Sequence, residues 1–84
     1  MSQVLLFTSP QCAPCKSLKK DLESMGYLDQ IDQVDVSMAT STPMMAMYGV
    51  RSVPTLIFLD DAEEIIRVRV GYTGDLRDLE GLFA

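Results

Sequence analysis

A short apolar run that leads directly into a one-faced helical pattern constrains the fold of this chain more than any other feature. Residues 4–8 read V-L-L-F-T and precede Ser9-Pro10, so the run is too short for three helical turns and indicates a buried strand. The apolar positions that follow recur at spacings of three and four up to Gly26; they are Cys15, Leu18, Leu22 and Met25. Residues 31–36 then read as a second strand, which predicts a βαβ unit.

The next segment predicts a short second helix. Ser41 and Thr42 offer hydroxyls that could cap its start. Pro43 suits the first helical position, because its φ is already helical and its missing N–H would have no partner there. The helical segment runs to Tyr48 and ends at Gly49.

The last third of the chain predicts a hairpin and a terminal helix. Thr55–Leu59 and Ile65–Val70 are strand-like runs separated by residues 60–64, four of which are acidic, and this favours an antiparallel hairpin. Arg67 and Arg69 alternate with valine and are expected to mark its solvated face. A final apolar stripe indicates the terminal helix; its members are Leu76, Leu79 and Phe83.

These elements give the order β-α-β-α-β-β-α, an α/β pattern, in one domain spanning residues 1–84, because 84 residues supply a single hydrophobic core. The chain has no histidine, which excludes Ser/His/Asp triads, Cys/His proteases and zinc sites that contain histidine. Its net charge of −5 argues against a nucleic-acid partner. The apolar run near the N-terminus has no preceding Lys or Arg and is too short for a signal core or a membrane span, so we expect a cytoplasmic protein with no membrane partner.

Cys12-Ala13-Pro14-Cys15 lies where the first strand turns into the first helix. The unpaired N–H groups and the positive dipole end of the helix favour a Cys12 thiolate, as does Lys16, which makes Cys12 the predicted nucleophile. Cys15 lies on the apolar stripe of the helix, so its buried sulfur should ionise later and act as the resolving thiol. Pro14 stiffens the first turn. The alternatives are a structural disulfide or half of a metal site, which needs further ligands that this chain lacks unless it dimerises; we expect no bound metal.

A second unusual feature is Ser52-Val53-Pro54-Thr55, where a proline opens a strand that should be central in the sheet. A trans bond before Pro54 would be the ordinary case. A cis bond at such a tight turn would be a costly feature that is usually retained for use. The residues alone leave both forms open.

Residues 12–16 and 48–55 together resemble the thioredoxin and glutaredoxin superfamily. Residues 7–12 are similar to the opening of glutaredoxins and of short glutaredoxin-like redoxins, while the C-terminal half is similar to thioredoxin. The resemblance implies a minimal thioredoxin fold, a four-stranded mixed sheet flanked by three helices. It also implies that Pro54 is cis and faces the disulfide, and that the Val53 backbone pairs with an extended substrate segment.

The same resemblance implies a thiol–disulfide oxidoreductase that reduces protein disulfides as a monomer. Its redox group would be the Cys12–Cys15 disulfide, with no other cofactor, and its reductant a flavoprotein thioredoxin reductase or glutathione. Lys16 and Arg51 could attract glutathione carboxylates. Residues 71–75 only loosely match the glutathione-binding loop of glutaredoxins, and a helix cap at Thr73 or Asp75 is favoured there.

The sequence departs from thioredoxins at two positions. Gln11 replaces the tryptophan before the first cysteine, and Leu6 replaces a buried acid, so deprotonation of Cys15 would need another route. Three alternatives to a thioredoxin-like carrier stay open: a glutathione-dependent glutaredoxin, a binding module that acts independently of redox state, and a dimer that shares an iron–sulfur cluster through Cys12.

Overall fold

The structure, a computed structural model, describes residues 3–83 of the chain. This part contains three α-helices and four β-strands. In chain order they are β1 (Gln3–Thr8), α1 (Ala13–Ser24), β2 (Ile31–Asp35), α2 (Thr42–Tyr48), β3 (Thr55–Leu59), β4 (Ile65–Val70) and α3 (Leu76–Phe83). Two single 3₁₀ turns, Leu28–Gln30 and Ala39–Ser41, precede β2 and α2. The predicted element order is confirmed, with its boundaries shifted by a residue at several ends.

Strand β1 lies in the interior of a four-stranded mixed sheet with the order β2-β1-β3-β4. It runs parallel to β2 and antiparallel to β3, and β4 completes an antiparallel hairpin with β3. Both sides of β1 are covered, so residues 5–8 are all buried, as their uninterrupted apolar run predicted. The α/β class and the four-stranded mixed sheet with three helices are thereby confirmed.

Helices cover the two faces of the sheet unequally. On the first, the α1/α3 face, alternate strand residues pack against two helices, α1 and α3; its core consists of Leu6, Leu18, Leu22, Ile31, Leu56, Phe58 and Leu79. On the second, the α2 face, the core consists of Leu5, Phe7, Val50, Ile57 and Leu59, with Met44, Met45 and Tyr48 of α2 packed against it. Because side chains alternate along a strand, even-numbered residues of β1 face α1 and odd-numbered ones face α2.

The prediction that Arg67 and Arg69 lie on a solvated face agrees with the structure, in which every residue of β4 is exposed, but both arginines also contact α3. Arg67 donates a hydrogen bond to the Leu82 carbonyl of α3 at 3.1 Å, and Arg69 forms an ion pair with Asp78 of α3. The valines on the opposite side of β4 are exposed as well, Val68 at 46% and Val70 at 62%. Alternation separates two faces but does not say which one meets a helix, and arginine stems reach far enough to bridge to one.

The start of α2 also differs from the prediction. Ser41 is the residue before α2 but makes no capping bond with its side chain. Its hydroxyl donates instead to the Asp35 carbonyl at 2.7 Å, which ties the helix start to the end of β2. Pro43 occupies the second helical position, and Gly49 ends the helix with a φ of 69°, in the left-handed region that glycine tolerates.

The start of α3 agrees with the cap favoured for residues 71–75. The Asp75 carboxylate, directly before α3, accepts the N–H of Arg77 in the first turn of the helix at 2.9 Å. Within residues 3–83, none of the helices has the length and apolar character needed to cross a membrane.

Candidate active site

Cys12 occupies the cap position at the start of α1. Its backbone is extended, with φ −103° and ψ 110°, and its sulfur accepts the Cys15 N–H at 3.2 Å. The Cys12 N–H bonds to the Ser9 carbonyl at 3.2 Å, so the loop after β1 holds the cap in place. A sulfur that accepts a helix N–H at the positive end of the dipole is in surroundings that favour a thiolate over a thiol.

Cys15 is fully buried one turn into α1, on the side of the helix that carries Leu18 and Leu22. The two cysteines form a disulfide, with their Cα atoms 5.2 Å apart. Cys12 is only half-buried, so the half of the disulfide that an incoming sulfur can approach is Cys12. This placement agrees with the predicted order of attack, although the roles themselves stay predictions.

Pro14 and Lys16 flank Cys15 on the exposed side of the first helical turn. Pro14 lies at the second helical position of α1, where a backbone N–H would have no partner within the helix, so its absence costs no hydrogen bond. Lys16 is exposed, and its N–H closes the first helical bond to the Cys12 carbonyl at 3.2 Å. The ammonium group is therefore on the same turn as the disulfide but in water.

The loop before β3 brings a second segment to the disulfide. The Val53–Pro54 peptide bond is cis, as the resemblance implies. The Val53 carbonyl oxygen lies 3.8 Å from Cys12 Sγ, and Pro54 is fully buried behind it. The hydroxyl of Thr55 holds the loop from below by donating to the Ser52 carbonyl at 2.8 Å.

The segment after β4 borders this side of the site through two hydrogen bonds that the sequence analysis of residues 71–75 did not predict. Gly71 N–H donates to the Pro54 carbonyl at 2.8 Å, which extends the β3–β4 ladder to the proline. The next residue, Tyr72, hydrogen-bonds through its hydroxyl to the Asp21 carboxylate of α1. Burial and that bond raise the pKa of Tyr72 to about 12. A register shift of one residue would undo this pairing, and registers are not visible in a single sequence.

Arg51 lines a groove in which neither cysteine takes part. The groove lies between the end of α2 and the outer side of β4; it is lined by Tyr48, Gly49, Val50, Arg51, Ser52, Thr55, Ile57, Val68 and Val70. The structure therefore brings Cys12, Cys15, Val53 and Pro54 together, and places Arg51 on the α2 face. Within residues 3–83, no group of three or more carboxylate or thiol side chains is arranged to hold a metal.

Comparison with known families supports the interpretation of this geometry. A family model described as a thioredoxin-like domain matches residues 2–83. The chain is 30% identical over 61 residues to thioredoxin 1 of Synechococcus elongatus, covering 70% of this chain and 57% of that protein. It is 32% identical over 68 residues to thioredoxin of Bacillus subtilis, covering 79% of this chain and 64% of that protein. Each alignment thus spans less than two thirds of the relative's length.

Solved structures show the same fold. The germline-specific thioredoxin Deadhead of Drosophila melanogaster superimposes with a TM-score of 0.77 at 26% identity, covering 98% of this chain and 77% of that one. A thioredoxin variant from Halobacterium salinarum gives a TM-score of 0.78 at 28% identity, covering 96% and 70% of the two chains. The similarity of residues 7–12 to glutaredoxins stays a prediction, since these relatives are thioredoxins.

Proposed function

This chain belongs to the thioredoxin-like domain family, and from that premise we propose that it reduces protein disulfides by thiol–disulfide exchange. The observation that carries the proposal is the position of the Cys12 sulfur. It accepts a helix N–H at the start of α1 and lies 3.8 Å from the Val53 carbonyl. The same sulfur atom is therefore close to a helix end that stabilises a thiolate and to a backbone segment that could pair with a substrate.

The reaction begins in the dithiol form. The Cys12 thiolate attacks one sulfur of a substrate disulfide, a Cys12–substrate bond forms, the substrate S–S bond breaks, and the electron pair leaves on the second substrate sulfur. Cys15 then loses its proton and attacks Cys12 Sγ. The Cys12–Cys15 bond forms, and the first substrate sulfur departs as a thiolate that takes up a proton. The substrate gains two electrons and the chain loses two.

Recognition of the substrate is assigned to the loop before β3. The Val53 backbone lies beside the sulfur that is attacked, so an extended substrate segment that pairs with it would present its disulfide to Cys12. Buried Pro54 supports this loop from behind, and Lys16 adds positive charge to the turn that carries the thiolate. Arg51 would act only on substrates long enough to reach the groove that it borders.

The partners follow from the same chemistry. The proposal needs disulfide-containing protein substrates and a donor of two electrons, and we assign that role to a flavoprotein thioredoxin reductase. Glutathione is the second candidate, disfavoured because the Asp75 carboxylate caps α3 through the Arg77 N–H. The redox group is the Cys12–Cys15 disulfide alone, the working form is a monomer, and the working compartment is the reducing cytoplasm.

Reduction of insulin disulfides tests the proposal. The purified chain is assayed with NADPH and thioredoxin reductase, and in parallel with NADPH, glutathione and glutathione reductase. We expect turnover with the flavoprotein, a fall to the uncatalysed background in Cys12→Ser, and a trapped mixed disulfide in Cys15→Ser. Ser17→Ala, exposed on α1, is the control and should match the unmodified chain. Turnover with glutathione alone would identify a glutaredoxin, and silence in both assays would contradict the proposal.

A further inference from the structure

One buried hydroxyl next to the active site lacks a hydrogen-bond partner. Thr8 is the last residue of β1 and only 4% exposed. Across residues 3–83, its Oγ1 is the only buried side-chain nitrogen or oxygen atom that makes no hydrogen bond. A buried hydroxyl without a partner costs free energy, so its retention at this place calls for an explanation.

The fold places this hydroxyl beneath the start of α1. Thr8 is an even-numbered residue of β1, so its side chain shares the α1/α3 face with Leu6, which packs against Leu18 and Leu22. The chain reverses between the end of β1 and the start of α1. The end of β1 therefore lies under the first turn of the helix, where Cys15 is fully buried on the sheet-facing side.

The charged groups of the neighbouring strand are already engaged. Asp35 of β2 is the cross-strand partner of Thr8. Its Oδ1 accepts the Ser37 N–H at 2.9 Å and the Ser37 hydroxyl at 2.6 Å, and these bonds lower the pKa of Asp35, helped by the charge of Lys19. That carboxylate is thus held as an anion by its own turn.

The other charged groups near this end of the face are also accounted for. Asp21 of α1 accepts the Tyr72 hydroxyl, and Asp78 of α3 is paired with Arg69. Lys16 points into water from the first turn of α1. The Thr8 hydroxyl is therefore an uncommitted hydrogen-bond donor at the end of the sheet where Cys15 must lose its proton.

We propose that the Thr8 hydroxyl donates a hydrogen bond to the Cys15 thiolate once the disulfide is open, and so promotes the step that resolves the mixed disulfide. The inference rests on the proposed exchange function and adds to it the group that stabilises the second thiolate. A sulfur in a disulfide is a weak acceptor, whereas a thiolate is a strong one, which explains why the hydroxyl is unpartnered in the oxidised form.

The step balances without a further reagent. Cys15 releases its proton, and the hydroxyl keeps its own hydrogen while it stabilises the thiolate. The thiolate attacks Cys12 Sγ, the Cys12–Cys15 bond forms, and the bond from Cys12 to the substrate sulfur breaks. The departing substrate thiolate takes up one proton, so the proton lost by Cys15 is matched by the one gained by the product.

The test uses the reduced chain and the chromogenic disulfide dithiobis(nitrobenzoate). Attack by Cys12 releases one nitrothiolate in a first phase whose rate is proportional to the reagent concentration, and resolution by Cys15 releases a second in a phase whose rate is independent of it. Thr8→Val keeps the shape of the side chain and removes the hydroxyl, while Thr8→Ser keeps the hydroxyl. Both phases are followed by stopped-flow absorbance across the neutral and alkaline pH range, and circular dichroism shows that each variant is folded.

We expect Thr8→Val to leave the first phase unchanged, to slow the second about tenfold at pH 7, and to move its pH midpoint upward. Thr8→Ser should keep both the rate and the midpoint within about twofold of the unmodified chain. Equal second phases in the unmodified chain and Thr8→Val would overturn the inference alone. Absence of a first phase in the unmodified chain would instead overturn the proposed function and the inference with it.

Discussion

The α1/α3 face and the α2 face of the sheet are closed to different degrees. On the α1/α3 face, two helices seal a core in which Leu22 is completely buried, and both arginines of β4 reach across to α3. On the α2 face, a helix of seven residues covers only part of the sheet and leaves Val68 exposed. Cys15 belongs to the sealed face and Val53 to the open one. The fold thus separates Cys15, the thiol proposed to resolve the mixed disulfide, from Val53, which is proposed to bind the substrate segment.

The largest effect should come from a cavity in the sealed face. Leu22→Ala removes a fully buried side chain among close-packed neighbours, and we expect the free energy of unfolding to fall by about 3–4 kcal/mol. Urea unfolding followed by circular dichroism measures the change. Met47→Ala on α2, where Met47 is 72% exposed, is the control and should change stability by less than about 0.5 kcal/mol. Equal losses in the two variants would contradict the contrast between the faces.

The tie between Tyr72 and α1 should contribute less. Tyr72→Phe removes the hydrogen bond to Asp21, and we expect a loss of about 1 kcal/mol at neutral pH. The dependence of the free energy of unfolding on alkaline pH is the more specific test. The unfolded chain ionises this phenol near pH 10 and the folded chain near pH 12, so folded Tyr72 keeps its proton while the unfolded one loses it, and stability falls across that window.

Urea titrations at several pH values between about 9 and 12 check this prediction. In Tyr72→Phe, that part of the alkaline decline should disappear. Tyr48→Phe is the matched control, because Tyr48 packs edge-on against Phe7 on the α2 face. If the free energy of unfolding declined identically in Tyr72→Phe and the unmodified chain, ionisation of Tyr72 would not contribute to the pH dependence of folding.

A smaller effect is expected where β4 meets α3. Arg67 donates to the Leu82 carbonyl and lies 6.0 Å from the centre of the Phe58 ring. Arg67→Ala should cost about 0.5–1 kcal/mol through the lost bond and the lost contact of the stem. Arg67→Lys keeps a positive charge without the planar fork and should recover part of the loss. Full recovery by lysine would mean that charge alone matters at this junction.

The smallest effect should come from the open side of β4. Val68→Thr changes a side chain that is 46% exposed and retains β-branching, so stability should change by less than about 0.5 kcal/mol. The same substitution at buried Val50, on the α2 face, is the control and should cost more than about 1 kcal/mol. A large loss at Val68 would mean that the outer side of β4 is covered in solution.

Much of the fold could be predicted because patterns of neighbouring residues determine where its helices and strands begin and end. The apolar run of β1, the helical spacing before Gly26 and the glycine after Tyr48 each reflect short-range physics, and the structure agrees with all three. The errors concern partners that are distant in sequence. Ser41 bonds to Asp35 rather than to its own helix, because tertiary packing offered its hydroxyl a nearer acceptor.

The candidate site divides in the same way. Cys12 at the helix start and Cys15 on the buried stripe follow from spacing, and the structure places both there. The Gly71 bond to Pro54 depends on the register between β3 and β4, which a single sequence does not encode visibly. The lack of a hydrogen-bond partner for the Thr8 hydroxyl likewise depends on which residues surround it in the folded chain, and a sequence pattern does not show this.

The free edge of β4 has a consequence for handling the protein at high concentration. A terminal strand with unpaired backbone groups and exposed valines is a template onto which another strand can add, and so a starting point for aggregation. The acidic turn at residues 60–64 lies directly before β4, and the chain carries a net charge of −5. Two copies that approach through this edge bring like charges together, so colloidal stability should be lost first in high salt or near the isoelectric point.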